Sequence, residues 1–313
     1  MQIREATELD IPEILKVLKA SLGETSSKKT EAVWRYKHLE NPFGKSLILV
    51  AVINDTIIGV RALMRWKWQL GKQVFSALRA VDTATHPDHQ GKGVFKKLTL
   101  KAIEISKEQS DHFIFNTPNT QSLSGYLNMG WEEVNKLRIR IVSVNPLNWF
   151  ANKQAKIYEV NINSSDAQLV ELISKYNTFK AEENKLFTPK SLDYLSWRYE
   201  NNPLQKYEVK ADEDFYLAGY IKEHKYFKEL RITEHIYTDD VGLQKNNKAV
   251  KEFSRKYGAH LITTTSDLNF GIGFSGNYGP VLSLRDVNLD TNLKQELLQL
   301  NNWSYTLGDL ELF

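Results

Sequence analysis

The phrase Trp34-Arg35-Tyr36-Lys37-His38-Leu39-Glu40-Asn41-Pro42 returns, shortened, as Trp197-Arg198-Tyr199-Glu200-Asn201-Asn202-Pro203. Each copy follows a helical stretch and precedes an apolar strand, Leu47 to Ile53 in one case and Tyr207 to Ala211 in the other. A second strand comes next in both, containing Ile58-Gly59 or Ala218-Gly219. Self-similarity at this spacing predicts two diverged copies of one domain, residues 1–150 and 151–313, joined around Asn145 to Lys156. The aromatic residues of the phrase read as anchors that pack a helix onto a sheet.

Bulk properties agree with two domains. A chain of 313 residues with 42% hydrophobic content exceeds the usual single-domain size and can bury real cores. Its 41 Lys and Arg nearly cancel 38 Asp and Glu, and no basic block stands out, so no nucleic-acid partner is expected. The absence of cysteine removes disulfides, thiolate metal sites and a cysteine nucleophile. The charged start, Met1 to Ala6, and the lack of a long apolar run predict no membrane association and a cytoplasmic location.

Pattern and turn signals predict a mixed α/β plan in the first half. Strands are expected at Gln2–Ala6, Ser46–Ile53, Thr56–Gln69, Gln73–Thr85, His112–Asn116 and Trp131–Val144. Helices are expected at Asp10–Leu22, Lys29–Leu39, Gly93–Lys107 and Thr120–Asn128, with Asp10 and Glu13 spaced as a capping box. Asn54-Asp55 and Leu70-Gly71-Lys72 read as hairpin turns. The stretch from His86 to Leu98 places Gly91 and Gly93 at a helix entrance, beside Lys92, Lys96 and Lys97. Unpaired N–H groups and the dipole make such an entrance an anion site, and glycines let a phosphate approach the backbone.

This loop, with Pro87, Gln90 and Gly93 in place and the surrounding element order, resembles the GNAT superfamily of acyl-CoA-dependent N-acyltransferases over residues 1 to about 144. Thr85 stands where the family usually has Val, and Phe95 where it has Gly or Ala. The resemblance implies an α/β fold with mixed sheets in two tandem GNAT-like domains. It implies that N–H groups of Gly91, Lys92, Gly93, Val94 and Phe95 hold the CoA pyrophosphate, with Gln90 beside them. Val81, Thr83 and Thr85 would pair with the pantetheine arm. Asn119, Tyr126 and Gly130-Trp131 resemble a further family segment, in which Asn119 contributes to the cofactor site and Tyr126 protonates the departing thiolate. Asp82 occupies a position where many members carry the acidic residue that takes the amine proton, directly or through water. Some tandem members use a C-terminal carboxylate instead, an option for Phe313 on a strand running to the chain end.

The function implied is acetyl transfer from acetyl-CoA to an amine of a small molecule or sugar, by direct attack and without a metal. The readings kept beside it are a Fem-like aminoacyl-tRNA-dependent transferase and a non-catalytic CoA-binding module. The second copy has only Gly242 before its helix, so it is expected to lack the phosphate loop and to shape the acceptor site. Gly271-Ile272-Gly273-Phe274-Ser275-Gly276 has dinucleotide-binding spacing, but Pro280 and its neighbours would break the required helix. His86 and His89 read as loop residues, lacking the further ligands that a metal needs.

Overall fold

The computed structural model describes all residues except 24–27, 145, 147–156, 266–267, 269 and 311–313, so the expected linker lies almost entirely outside the described residues. Strand β1 (Gln2–Glu5) leads to α1 (Ile11–Leu22) and α2 (Glu31–His38), then to the meander β2 (Leu47–Ile53), β3 (Thr56–Leu70) and β4 (Gln73–Thr85). Helix α3 (Val94–Glu108), β5 (Phe113–Asn116), α4 (Thr120–Leu127), β6 (Glu132–Lys136) and β7 (Ile139–Ser143) complete the first half. The second half contains β8 (Val160–Ile162), α5 (Asp166–Glu182), α6 (Leu192–Leu195), β9 (Glu208–Ala211), β10 (Phe215–Glu223), β11 (Lys228–Tyr237) and α7 (Asp240–Tyr257). It ends with β12 (Leu261–Thr265), β13 (Gly273–Gly276), β14 (Val281–Asp286), α8 (Thr291–Leu297) and α9 (Leu307–Leu310).

Local chemistry sets most boundaries. Asn54 and Asp55 both take positive φ, 47° and 61°, as a type I′ hairpin requires. The capping box lies one turn earlier than expected: Asp10 accepts from the Thr7 N–H at 2.7 Å and pairs with Arg4, opening a short 3₁₀ turn that runs into α1. Glu13, the expected partner, instead meets Lys16. The expected strand Trp131–Val144 is broken at Leu137-Arg138 into β6 and β7.

That break changes the architecture. The strand orders are β1-β2-β3-β4-β5-β14-β6 and β13-β7-β12-β11-β10-β9-β8. Each half therefore lends one strand to the other: β14 lies between β5 and β6, while β7 lies between β13 and β12. The segment with dinucleotide-like spacing becomes β13, an edge strand, and opens no helix.

The repeated phrase joins the copies. Tyr36 Oη donates to the Trp197 carbonyl at 2.5 Å, and Trp197 Nε1 donates to the Tyr36 carbonyl at 3.0 Å. Their rings stack with centroids 5.3 Å apart. Arg198 is buried and donates to the Gly308 carbonyl and to Tyr207 Oη, whereas Arg35 lies outside with Glu31 and Glu8. Asn41 and Asn202 each tie down a turn, accepting from Phe43 and Leu204 N–H respectively. The aromatic-anchor reading holds, and the phrase belongs to the fold.

One apolar core runs through both halves, with Trp66, Trp68 and Phe115 of the first sheet packed among Tyr194, Leu186 and Trp303. A second core, including Val94, Leu98, Ala102 and Tyr126, lies beneath α3 and α4. The expected terminal strand is instead the short helix α9, buried where the halves meet. Among the described residues no helix is long and apolar enough to cross a membrane.

Candidate active site

The glycine loop is built as an open cradle. Gly91 and Gly93 adopt φ of 72° and 75°, a region costly for other residues, and a Cβ on either would meet nothing within 4 Å. The glycines are there for backbone direction. Gly93 is the N-cap of α3, no side chain caps the helix, and its first turn holds no acid. The first main-chain bond of the helix is from the Lys97 N–H to the Gly93 carbonyl. The N–H groups from Gly91 to Lys96 have no partner among the described residues. Gln90 braces the loop by donating to the Thr85 carbonyl at 3.2 Å, and Lys92 donates to the Asp88 carbonyl at 2.8 Å.

The cradle sits where two parallel strands part. β4 pairs with β5 only at Ala77, Leu78 and Arg79, although β4 continues to Thr85. Val81, Thr83 and Thr85 thus lie on the part of β4 beyond its pairing with β5, where the Val81 carbonyl accepts from Thr83 Oγ1 and the Thr85 carbonyl from Gln90. The β3–β4 register shifts between Arg61 and Ala62, which oppose Thr83 and Val81, so Asp82 is the extra residue of a β-bulge with φ of 25°. Bulges re-aim side chains, and this one turns Asp82 toward α2.

There Asp82 meets Lys37 Nζ and, at 3.0 Å, His38 Nε2, whose Nδ1 lies 2.9 Å from Ser46 Oγ. Burial pushes the Asp82 carboxyl up, but the Lys37 charge and the His38 hydrogen bond outweigh it and hold the group well below the usual carboxylate range. Burial lowers His38 despite that bond, so the ring is neutral and its Nε2–H donates to Asp82. Both partners lie more than forty positions away in sequence, and no spacing rule pointed to them.

On the opposite wall, Asn119 caps α4 by accepting from the Ser122 N–H at 2.9 Å, so its carbonyl is committed to the helix. This brings Tyr126 into the buried face of α4, where its Oη accepts from Arg61 Nη1 at 2.7 Å. Phe95 turns inward rather than across the loop. Its ring meets Tyr126 edge-on at 5.7 Å, leaving the N–H cradle uncovered. Arg61 joins the two walls, since it also donates to Thr83 Oγ1, beside the bulge on β4, at 2.7 Å. Arg61 was not anticipated; it is the one charged residue in the continuously buried run Ile57 to Met64, and no motif marks it.

The second copy differs at the corresponding places. Its helix α7 is capped by Asp239, which accepts from the Gly242 N–H at 2.8 Å, and Asp240 adds another carboxylate to the first turn. The β10–β11 register also shifts, but the extra residue is Thr233. Its interior is occupied by a buried group in which Lys190 meets Glu234 at 2.8 Å and Asp309 at 2.9 Å.

Asp309 and Leu310 approach β4 and the end of β5. Arg79 donates to the carbonyls of Asp309 and Leu310, and Thr117, just beyond β5, donates to Leu310 at 3.4 Å. Phe313 lies outside the described residues. A cavity of about 410 Å³ opens here, lined by Thr117, Leu137, Ile139, Leu310 and, from the second sheet, Tyr220 and Arg231. A larger one, about 840 Å³, lies between α5 and the β3–β4 hairpin, at the far end of β4 from the loop. His86 and His89 occupy the turn before the loop, and among the described residues no group of three or more acids and histidines converges as a metal would need.

Comparison with known proteins bears on the domain and the fold. Residues 2–134 match the family described as acetyltransferase (GNAT) domain. No curated protein matches the chain. Among solved structures, a probable N-acyltransferase from Enterococcus faecalis superposes with a TM-score of 0.65 at 12% identity, over 93% of this chain and 74% of that one. A GCN5-related N-acetyltransferase from Anabaena variabilis gives 0.65 at 15% identity, over 92% and 73%. Eis1 from Mycobacterium abscessus gives 0.57 at 11%, over 94% and 76%. At such identities these likenesses speak for the fold, which extends across both halves. Residues 2–134 thus match the acetyltransferase (GNAT) domain family, and the two halves together share the fold of these solved structures.

Proposed function

We propose that the N-terminal half takes acetyl-CoA as donor and transfers its acetyl group to the amine of a small acceptor. The observation that carries this is the uncapped, acid-free N-terminus of α3 standing directly beside the point where β4 and β5 separate. The Gly91–Lys96 N–H groups would hold the pyrophosphate, and the stretch Val81 to Thr85, beyond the β5 pairing, would pair with the pantetheine amides. Bound acetyl-CoA supplies an acyl group already activated as a thioester, so alignment is the protein's main task.

The amine nitrogen forms a bond to the acetyl carbon, and the carbon–sulfur bond breaks. Tyr126 gives its phenolic proton to the departing sulfur and regains one from solvent. Asp82, kept ionised by Lys37 and His38, draws and orients the amine and relays its proton to water, since a carboxylate so stabilised stores one poorly. The second copy, with α7 capped by its own carboxylates, is read as the degenerate partner that completes the acceptor cavity. Of its charged lining residues, Arg231 is paired with Glu229 at 2.8 Å, so Lys222 is the cation that favours an amine also carrying a carboxylate or phosphate over a polyamine.

Thiol release from acetyl-CoA, measured with amino acids and with their amides as acceptors, tests the reading. Tyr126→Phe should lower kcat by about 100-fold, within the range of general acid catalysis, with little change in CoA affinity. Full turnover by this variant would remove Tyr126 from its role, and equal use of amides would remove the anionic acceptor.

A further inference from the structure

Arg61 is fully buried, and among the described residues no carboxylate stands within ion-pairing distance of it. Nη1 donates to Tyr126 Oη and to Thr83 Oγ1, both at 2.7 Å. Nε and Nη2 have no hydrogen-bond partner. The guanidinium lies 5.6 Å from the Phe95 ring centroid and 5.3 Å from that of Tyr126. A buried cation without a counter-charge opposes folding, and an apolar side chain of similar length would fill the space without that cost. Stability alone therefore gives no reason for an arginine here.

We propose that Arg61 is a positioning residue for the acetyl-transfer step, acting through Tyr126; this rests on Tyr126 being the proton donor. Arginine donates hydrogen bonds and accepts none, so the phenol must receive from it. The phenolic hydrogen is then left to point away from Arg61, and in the proposed reading it is the one given to the sulfur. Thr83 is saturated in the same way, accepting from Arg61 and donating to the Val81 carbonyl at 2.9 Å. One guanidinium thus links the β4 wall to the α4 wall and fixes the phenol between them. Because no carboxylate cancels its charge, it also steadies the negative charge that builds on the Tyr126 oxygen as its proton passes to the departing sulfur.

Phe95 finds its place in this account. The position that is Gly or Ala in the motif carries an aromatic ring whose face covers Arg61 and whose contact with Tyr126 is edge-on. The departure from the motif keeps the cation dry and leaves the phosphate cradle open.

The test uses Arg61→Met, Arg61→Lys, Tyr126→Phe and the Arg61→Met/Tyr126→Phe double variant. Thiol release from acetyl-CoA is followed with hydroxylamine, a small nucleophile that needs no acceptor pocket, alongside CoA binding and thermal unfolding. Arg61→Met should lose about 10- to 100-fold in kcat, with CoA affinity within about twofold and no lower melting temperature. Arg61→Lys, which keeps the charge without the fork, should recover part of the rate. The double variant should be no slower than Tyr126→Phe alone, because the two residues act as a unit. Multiplying losses, or full turnover by Arg61→Met and Arg61→Lys, would overturn the proposal. Wild-type turnover by Tyr126→Phe would instead show that the proton-donor reading itself has failed.

Discussion

Replacing Gly59 on β3 by alanine should damage a ligand site that Gly59 does not touch. An added Cβ would stand 2.8 Å from Val94 Cγ1 and 3.3 Å from Leu98 Cδ1. Carbon atoms rest about 3.5–4.0 Å apart, so α3 must retreat by roughly 1 Å or Val94 must leave its rotamer. Overpacking of this kind costs about 1–3 kcal/mol, offset by about 0.4–1 kcal/mol from the stiffer unfolded chain, for a net loss near 1–2 kcal/mol. Val94 is the first residue of α3, so the retreat shifts the N–H cradle, and acetyl-CoA should bind about 10-fold more weakly, equivalent to ~1.4 kcal/mol. Urea unfolding and calorimetry measure the two effects. Val94→Ala removes the colliding methyl groups, so the Gly59→Ala/Val94→Ala pair should lose less than the sum of the single changes. Wild-type stability and affinity in Gly59→Ala, or strict additivity in the pair, would refute this account of how β3 sets the cradle.

Tyr36→Phe should cost about 0.5–1.5 kcal/mol, the net worth of its buried hydrogen bond to the Trp197 carbonyl; urea melts should still show one transition, since one core spans both halves, and two separated transitions would contradict the shared core. Asp82 should remain ionised through the range near 3.9 where free aspartate titrates. Its lowered folded value means that its pairing stabilises the protein above that range, and that this contribution is lost as pH falls through the folded value. Carboxyl-carbon NMR checks this directly, and a midpoint at or above the ordinary value would contradict the Lys37–His38 pairing.

Much of this fold was legible because local rules govern it. Asn54-Asp55 marked a hairpin through the φ values those residues tolerate, and Gly91 and Gly93 marked the helix entrance for the same reason. The repeated Trp-Arg-Tyr phrase revealed two copies, and its retention beside a missing second loop showed that it served packing. The exchange of β7 and β14 was not legible. Alternation shows which face of a strand is buried and says nothing about which sheet it joins, and the Leu137-Arg138 break carries neither glycine nor proline. The site divides along the same line. Gly93 and Tyr126 sit in short motifs, whereas Lys37, His38 and Arg61 reach the cleft only through tertiary contacts. The capping box was placed one turn late because Thr7 and Asp10 satisfy the same spacing as Asp10 and Glu13.

The central claim is that α3 presents its bare N-terminus to the pyrophosphate of acetyl-CoA. Calorimetric titration of the full chain with acetyl-CoA, beside a Gly93→Asp variant, tests it most directly. The account predicts one binding site per chain with an affinity of about 1–10 μM, or ~7–8 kcal/mol, abolished when a carboxylate stands where the phosphates should lie. No heat with the wild-type chain, or equal binding by Gly93→Asp, would contradict it.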